Sequence, residues 1–132
     1  MRVVLDTNVL VSGLLNPNGP PAMILNLLVN AKLELLYDSR ILQEYMEVLH
    51  RSKFGFESNW IESLIDYVKD EGEYISAEPT NQPFRDDYDR AFYEVMITGE
   101  AQYLITGNSS HFPKNDRRIK SPREFVNMKE GA

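Results

Sequence analysis

Val3-Val4-Leu5 runs without a break into Asp6-Thr7-Asn8, and this junction constrains the fold more than any other stretch of the chain. A continuous apolar run with two β-branched residues suits a strand buried on both faces of a parallel sheet. A carboxylate, a hydroxyl and an amide then fall at that strand's C-terminal end. In open α/β sheets this is the edge where ligands bind. Asp6 is therefore the first candidate for chemistry. Its structural alternative is capping a turn or the next helix, since Asp-Thr-Asn is good turn material.

A second segment has the same grammar. Tyr103-Leu104-Ile105 leads into Thr106-Gly107-Asn108, as expected of a neighbouring parallel strand delivering polar groups to one rim. A plain strand exit into a turn is the alternative. Between the two, the pattern alternates. Val9 to Leu15 reads as a short helix or a loop, and Asn16 to Pro21 breaks the chain. Pro20 and Pro21 suit the first turn of a helix with Met23, Ile24, Leu27 and Leu28 as its stripe. A strand over Leu33–Tyr37 follows, and Asp38 or Ser39 caps a helix from about Arg40 to His50. Ile41, Leu42, Tyr45, Val48 and Leu49 form its apolar face.

Glu44 lies on the flank of that face. A half-buried carboxylate there needs a compensating partner, either a metal, an Arg or a backbone donor. After a loop around Gly55, a helix from Ser58 or Asn59 to about Glu71 carries Trp60, Ile61, Leu64, Ile65 and Val68. Tyr74-Ile75 is a short strand and Ala77–Phe84 a surface loop. Asp86, Asp87 and Asp89 open the next helix, which ends at Gly99. The helix dipole accounts for one or two of these aspartates. Three close carboxylates repel one another, so the third asks for another explanation. Asp86 and Asp89 share a face and Asp87 points elsewhere. His111, with no second His near it, reads as a surface or packing residue. Ile119 is a last short strand, and Ser121-Pro122-Arg123-Glu124 is a helix start with an N-cap, Pro at the first position and an acid at the third. Residues from Met128 onward are expected to fray.

At 132 residues the chain is one domain, 1–132. Its longest apolar runs fall far short of the roughly 18 residues of a membrane span, so no membrane association is expected. With a strand-like segment starting straight after Met1-Arg2, no signal peptide is expected. The absence of Cys excludes disulfides and thiolate metal sites, and together these features suit the cytoplasm. The net charge of −6 repels phosphate. Divalent cations on clustered carboxylates would relieve this, as would local basic patches. Lys114, Arg117, Arg118, Lys120 and Arg123 form the best such patch.

Strands alternating with helices predict an α/β/α sandwich with a mainly parallel sheet. In that fold Asp6, Asp89 and Asn108 share one sheet edge, and Glu44 reaches it from a flanking helix. Three carboxylates and an amide, all oxygen donors, suit Mg²⁺ or Mn²⁺ rather than zinc. Such an ion activates water and steadies phosphate charge, which points to phosphodiester hydrolysis.

Four blocks carry a resemblance. They are Val4-Leu5-Asp6-Thr7-Asn8-Val9-Leu10, Leu42-Gln43-Glu44-Tyr45 with Val48-Leu49, Asp86 and Asp89 opening a helix, and Leu104-Ile105-Thr106-Gly107-Asn108 followed by His111-Phe112-Pro113. In order and spacing the chain resembles the PIN-domain family, most closely the VapC-like toxins of bacterial and archaeal toxin–antitoxin pairs. The resemblance implies a Rossmann-like three-layer fold with four to five strands and metal-dependent cleavage of single-stranded RNA. It implies Asp6, Glu44 and Asp89 as the acids of the site, with Asp86 an additional one. Asp6 and Asp89 would hold the metal directly, and Glu44 would act through a water. Asn8 and Thr106 would order the site, and Asn108 stands where many members carry a fourth acid. It also implies a homodimer silenced by an antitoxin protein. Charge alone nominates Arg85, Arg90, Lys114, Arg117 and Arg118 for RNA contact. Two other readings compete: a non-catalytic PIN fold that binds RNA or protein, and a different Mg-dependent phosphohydrolase of the haloacid-dehalogenase kind, which wants an aspartate where this chain has Asn8.

Overall fold

A computed structural model describes residues 1–131, with side chains as far as Lys129. The chain runs β1 (Arg2–Leu5), α1 (Thr7–Leu15), α2 (Pro20–Val29), β2 (Glu34–Tyr37), α3 (Ser39–Leu49), α4 (Ser58–Glu71), β3 (Glu73–Tyr74), α5 (Asp87–Thr98), β4 (Tyr103–Ile105), β5 (Ile119–Lys120) and α6 (Pro122–Gly131). Short 3-10 turns occupy Ser52–Phe54 and Ser109–His111. The five strands form one sheet in the order β3-β2-β1-β4-β5, and every pairing is parallel. Val3, Val4, Leu5, Leu104 and Ile105 are fully buried. Strands with no exposed face need helices above and below them, and the result is the expected three-layer α/β/α sandwich.

The strand order positions the site. From β1 the sheet grows to β2 and β3 on one side. It then returns to the other side of β1 to add β4 and β5. The crevice at such a reversal, beyond the C-terminal ends of the strands, is where α/β sheets bind ligands. Here that crevice lies past Leu5 and Ile105, which pair directly.

Local chemistry sets the boundaries. Pro20 and Pro21 open α2, where missing N–H groups cost nothing. The Asp38 carboxylate caps α3 by accepting from Ile41 N–H at 3.0 Å. At α6, Ser121 and Glu124 exchange side-chain and backbone hydrogen bonds at 2.8 and 3.1 Å, a complete capping box. This helix runs on to Gly131, and Ala132, the last residue of the expected frayed tail, lies outside the described residues. The ambiguous Val9–Leu15 segment belongs to a helix that begins at Thr7.

Two stripe residues are corrected. Met23 is 42% exposed and Trp60 is 43% exposed. Each is the neighbour of a fully buried isoleucine, Ile24 and Ile61. One residue is a 100° rotation on a helix, enough to carry a side chain off the buried stripe. Among the described residues, no helix is long and apolar enough to cross a membrane.

Candidate active site

The ends of β1 and β4 are tied together before any side chain takes part. Asp6 N–H donates to Ile105 O at 2.9 Å, and Thr106 N–H donates to Lys120 O at 2.9 Å. Asp6 and Thr106 therefore stand side by side at the crevice. The Thr106 hydroxyl, fully buried, donates to Asp6 Oδ2 at 2.7 Å. It also accepts from Asn108 N–H at 2.9 Å. Asn8 Oδ1 accepts from Gly107 N–H at 3.0 Å. A Cβ on Gly107 would meet that same oxygen at 3.3 Å, so glycine allows the close approach. Asn8 and Thr106 thus tie the two strand exits together at the rim.

Asp6 stands at the N-cap position of α1, but its side chain closes no cap hydrogen bond. Burial pushes its carboxyl above the ordinary carboxylate range. The Thr106 hydroxyl and the facing N–H groups of Asn8 and Thr7 oppose that push.

Glu44 arrives from α3. The next residue, Tyr45, is fully buried and donates its hydroxyl to Leu5 O at the end of β1. That bond locks the helix to the strand and leaves Glu44 on the crevice side. Among the described residues, Glu44 has no cationic partner within salt-bridge distance. Its Oε2 accepts instead from the Thr7 hydroxyl. Burial raises its pKa, and the charges of Asp6, Asp86 and Asp89 raise it further.

Asp86 and Asp89 come from the start of α5. Asp86 is the N-cap, its Oδ1 accepting from Tyr88 N–H at 2.7 Å and from Asp89 N–H at 3.4 Å. Burial, then the charges of Asp6 and Asp86, push Asp89 up to about 6. His111 opposes that push, with its Nδ1 3.2 Å from Asp89 Oδ2.

These side chains line one open pocket of about 330 Å³, together with Asn108, His111 and Arg51. Asp6, Glu44, Asp86, Asp89 and Asn108, far apart in the chain, are thus brought together. The acids fit a hard divalent cation in kind, because every donor is oxygen and their charges raise one another's pKa. They do not form a closed cage. Among the described residues, no three His, Cys, Asp or Glu side chains are grouped to hold a metal ion. Mg²⁺ tolerates this arrangement, since it keeps several waters and takes one or two carboxylates.

The basic candidates divide. Arg118 is committed to Asp116, with Nε and Nη2 donating at 2.8 and 2.6 Å. Arg90 donates to Gln82 O at 3.1 Å and lies 5.7 Å from the Phe84 ring centre. Arg85, Lys114 and Arg117 are exposed. None of these five lines the pocket. Three pocket residues escape a reading of the sequence. His111 is exposed, in keeping with a surface residue, and from the 3-10 turn at Ser109–His111 its Nδ1 also faces Asp89. Arg51 and Phe54 reach the rim from the turn after α3. The only sequence signal for any of them is proximity to a block already singled out.

A parallel sheet with acids at its point of reversal is a Rossmann-like fold with a polar crevice where such sheets bind ligands. Residues 2–110 match the PIN domain, and the chain belongs to that family. It is also similar to the uncharacterized protein MJ1680 of Methanocaldococcus jannaschii, with 28% identity over 96% of this chain and 90% of the relative. PIN domains are generally nucleases, and they typically use divalent metals.

Proposed function

We propose that this chain is a metal-dependent endoribonuclease that cleaves single-stranded RNA. We further propose that it is the cytoplasmic toxin of a type II toxin–antitoxin pair, dimeric and silenced by an antitoxin protein. The observation that carries the nuclease reading is the convergence of Asp6, Glu44 and Asp89 from three separate elements on one pocket of a PIN domain. The toxin reading is supported by the resemblance of the four motif blocks to VapC-like proteins.

In this reading Asp6 and Asp89 hold Mg²⁺ or Mn²⁺, with Asp86 an additional acid. Bound there, the ion supplies an acidified water and neutralises charge building on the phosphate. One oxygen of each acid is already fixed. Thr106 holds Asp6, His111 sits on Asp89, and Thr7 holds Glu44. A carboxylate oriented in this way loses little freedom when it takes up its role. Glu44 orients the attacking water and takes its proton, a task its raised pKa suits. Asn108 and Thr106 support the rim.

The test is an incubation of 5′-labelled single-stranded RNA with the protein and Mn²⁺ or Mg²⁺. Internal cleavage that EDTA abolishes is the expected result, with double-stranded RNA and p-nitrophenyl phosphate left intact. Turnover of the monoester alone would move the site to the phosphohydrolases. Asn108 in place of an acid, together with the unclosed cage, favours the non-catalytic alternative. RNA that binds yet stays whole with either metal would establish that alternative. Growth arrest on induction, relieved by a small neighbouring gene, is expected for a toxin.

A further inference from the structure

The acidic pocket explains chemistry and leaves substrate binding unexplained. A net charge of −6 and at least three carboxylates in the pocket repel a polyanion. Affinity has to come from elsewhere on the surface.

One stretch beside the pocket has the required character. Phe54 lines the pocket together with Arg51. Its ring stacks on Phe56 with centroids 5.8 Å apart and planes at 23°. Phe56 lies 5.8 Å from Trp60, inclined at 39°. Three rings therefore run in a row from the pocket rim to the first turn of α4. Gly55 makes the row possible. Its φ of 69° turns the chain back, so that the rings on either side of it meet.

The row is not core. Phe54 and Phe56 are half-buried, and Trp60 leaves its indole exposed at the far end. Cations accompany it. Lys53 Nζ stands 5.2 Å from the centre of the Phe54 ring. Arg51 is half-exposed and forms a long i,i+4 ion pair with Glu47 at 4.0 Å. Glu57 lines the hollow with Phe56 and Trp60 and is the one carboxylate there.

We propose that Phe54, Phe56 and Trp60 form a stacking platform for bases of a single-stranded polynucleotide entering the acidic pocket, with Arg51 and Lys53 taking its phosphates. Aromatic faces beside a basic track are how single strands are held without sequence preference. Continuity with the pocket and the two cations favour this occupant over a protein. The inference rests on the nuclease reading and assigns its substrate path.

Trp60 is the only tryptophan in the chain, so its fluorescence reports on the platform alone. The full-length protein, in EDTA to prevent cleavage, is titrated with a ten-nucleotide oligouridylate. Saturable quenching is expected, weakening steeply with salt. Anisotropy of a labelled oligonucleotide is expected to show affinity about tenfold lower for Trp60→Ala and for the double variant Arg51→Ala/Lys53→Ala, and near wild type for Trp60→Phe. Quenching by oligothymidylate as well would widen the ligand to any single strand, and quenching by RNA alone would narrow it, both in support.

Three results would overturn the platform. One is oligonucleotide binding without quenching, or no binding at all. Another is equal quenching by inorganic polyphosphate, which has no bases. The third is an emission shift with protein concentration alone, in step with dimerisation, which would mean that a second copy covers Trp60. Failure of cleavage with quenching intact would sink the nuclease reading and leave the platform standing. Cleavage without quenching would do the reverse.

Discussion

Asp89 carries the clearest residue-scale signature. Burial, then the charges of Asp6 and Asp86, raise its carboxyl from 3.8 to about 6 in the metal-free protein. A carboxylate that is harder to ionise when folded keeps its proton longer in the native state. The stability this confers is full below about pH 4 and is lost as pH rises through about 6. Asp6 and Glu44 are raised too and act in the same direction. Asp116 and Glu124 are lowered, and their contribution fades only at more acidic pH. The metal-free protein is therefore expected to melt at a higher temperature at pH 5 than at pH 7. Asp89→Asn is expected to raise the melting temperature at pH 7 and flatten the slope. Thermal melts in EDTA across that range check this, and a flat wild-type profile would mean that the acids do not strain one another. Residues were legible in the sequence where a polar side chain follows a buried strand, as at Asp6 and Thr106. His111 was not, because a 3-10 turn sets its direction and its own neighbours do not announce it.

At the scale of elements, one hydrogen bond aligns α3 with the sheet. Tyr45 donates its hydroxyl to Leu5 O with neither group exposed. Tyr45→Phe keeps the ring, which stacks near Phe92 at 6.4 Å, and removes only the bond. Leaving a buried carbonyl short of its donor costs about 1–3 kcal/mol. Urea unfolding is expected to register a loss of that size. Activity is expected to fall further than stability explains, because Glu44 is the adjacent residue. A variant as active as wild type would show that Glu44 is positioned by other means. The elements themselves could be read from periodicity and caps, down to the capping box at Ser121 and Glu124. Met23 and Trp60 could not, because an amphipathic stripe tolerates an apolar residue one position off its face. The sequence then gives no sign of which of two adjacent apolar residues points outward.

For the whole molecule, repulsion within the pocket and the ion proposed to fill it must oppose each other. Carboxylates from β1, α3 and α5 are held together only by the fold, so a cation that binds them stabilises the native state alone. At a hundred times its dissociation constant, a single bound ion adds about 2.7 kcal/mol, roughly 10 °C for a domain of this length. Mn²⁺ is expected to raise the melting temperature on that order at pH 7 and much less at pH 5, where Asp89 is protonated. An equal rise in Asp89→Asn would place the ion elsewhere. The global topology was legible because buried parallel strands leave few alternatives. The openness of the acid cluster was not, since spacing in the chain fixes which edge a residue reaches and leaves the last few ångströms to the rotamers. The most direct measurement compares cleavage of single-stranded RNA by wild-type protein and Asp6→Asn, with saturating Mn²⁺ and matched circular-dichroism spectra. The account predicts that the variant loses at least a hundredfold in rate, on the order of one lost electrostatic contact to the reacting centre. Equal rates in two equally folded proteins would contradict it.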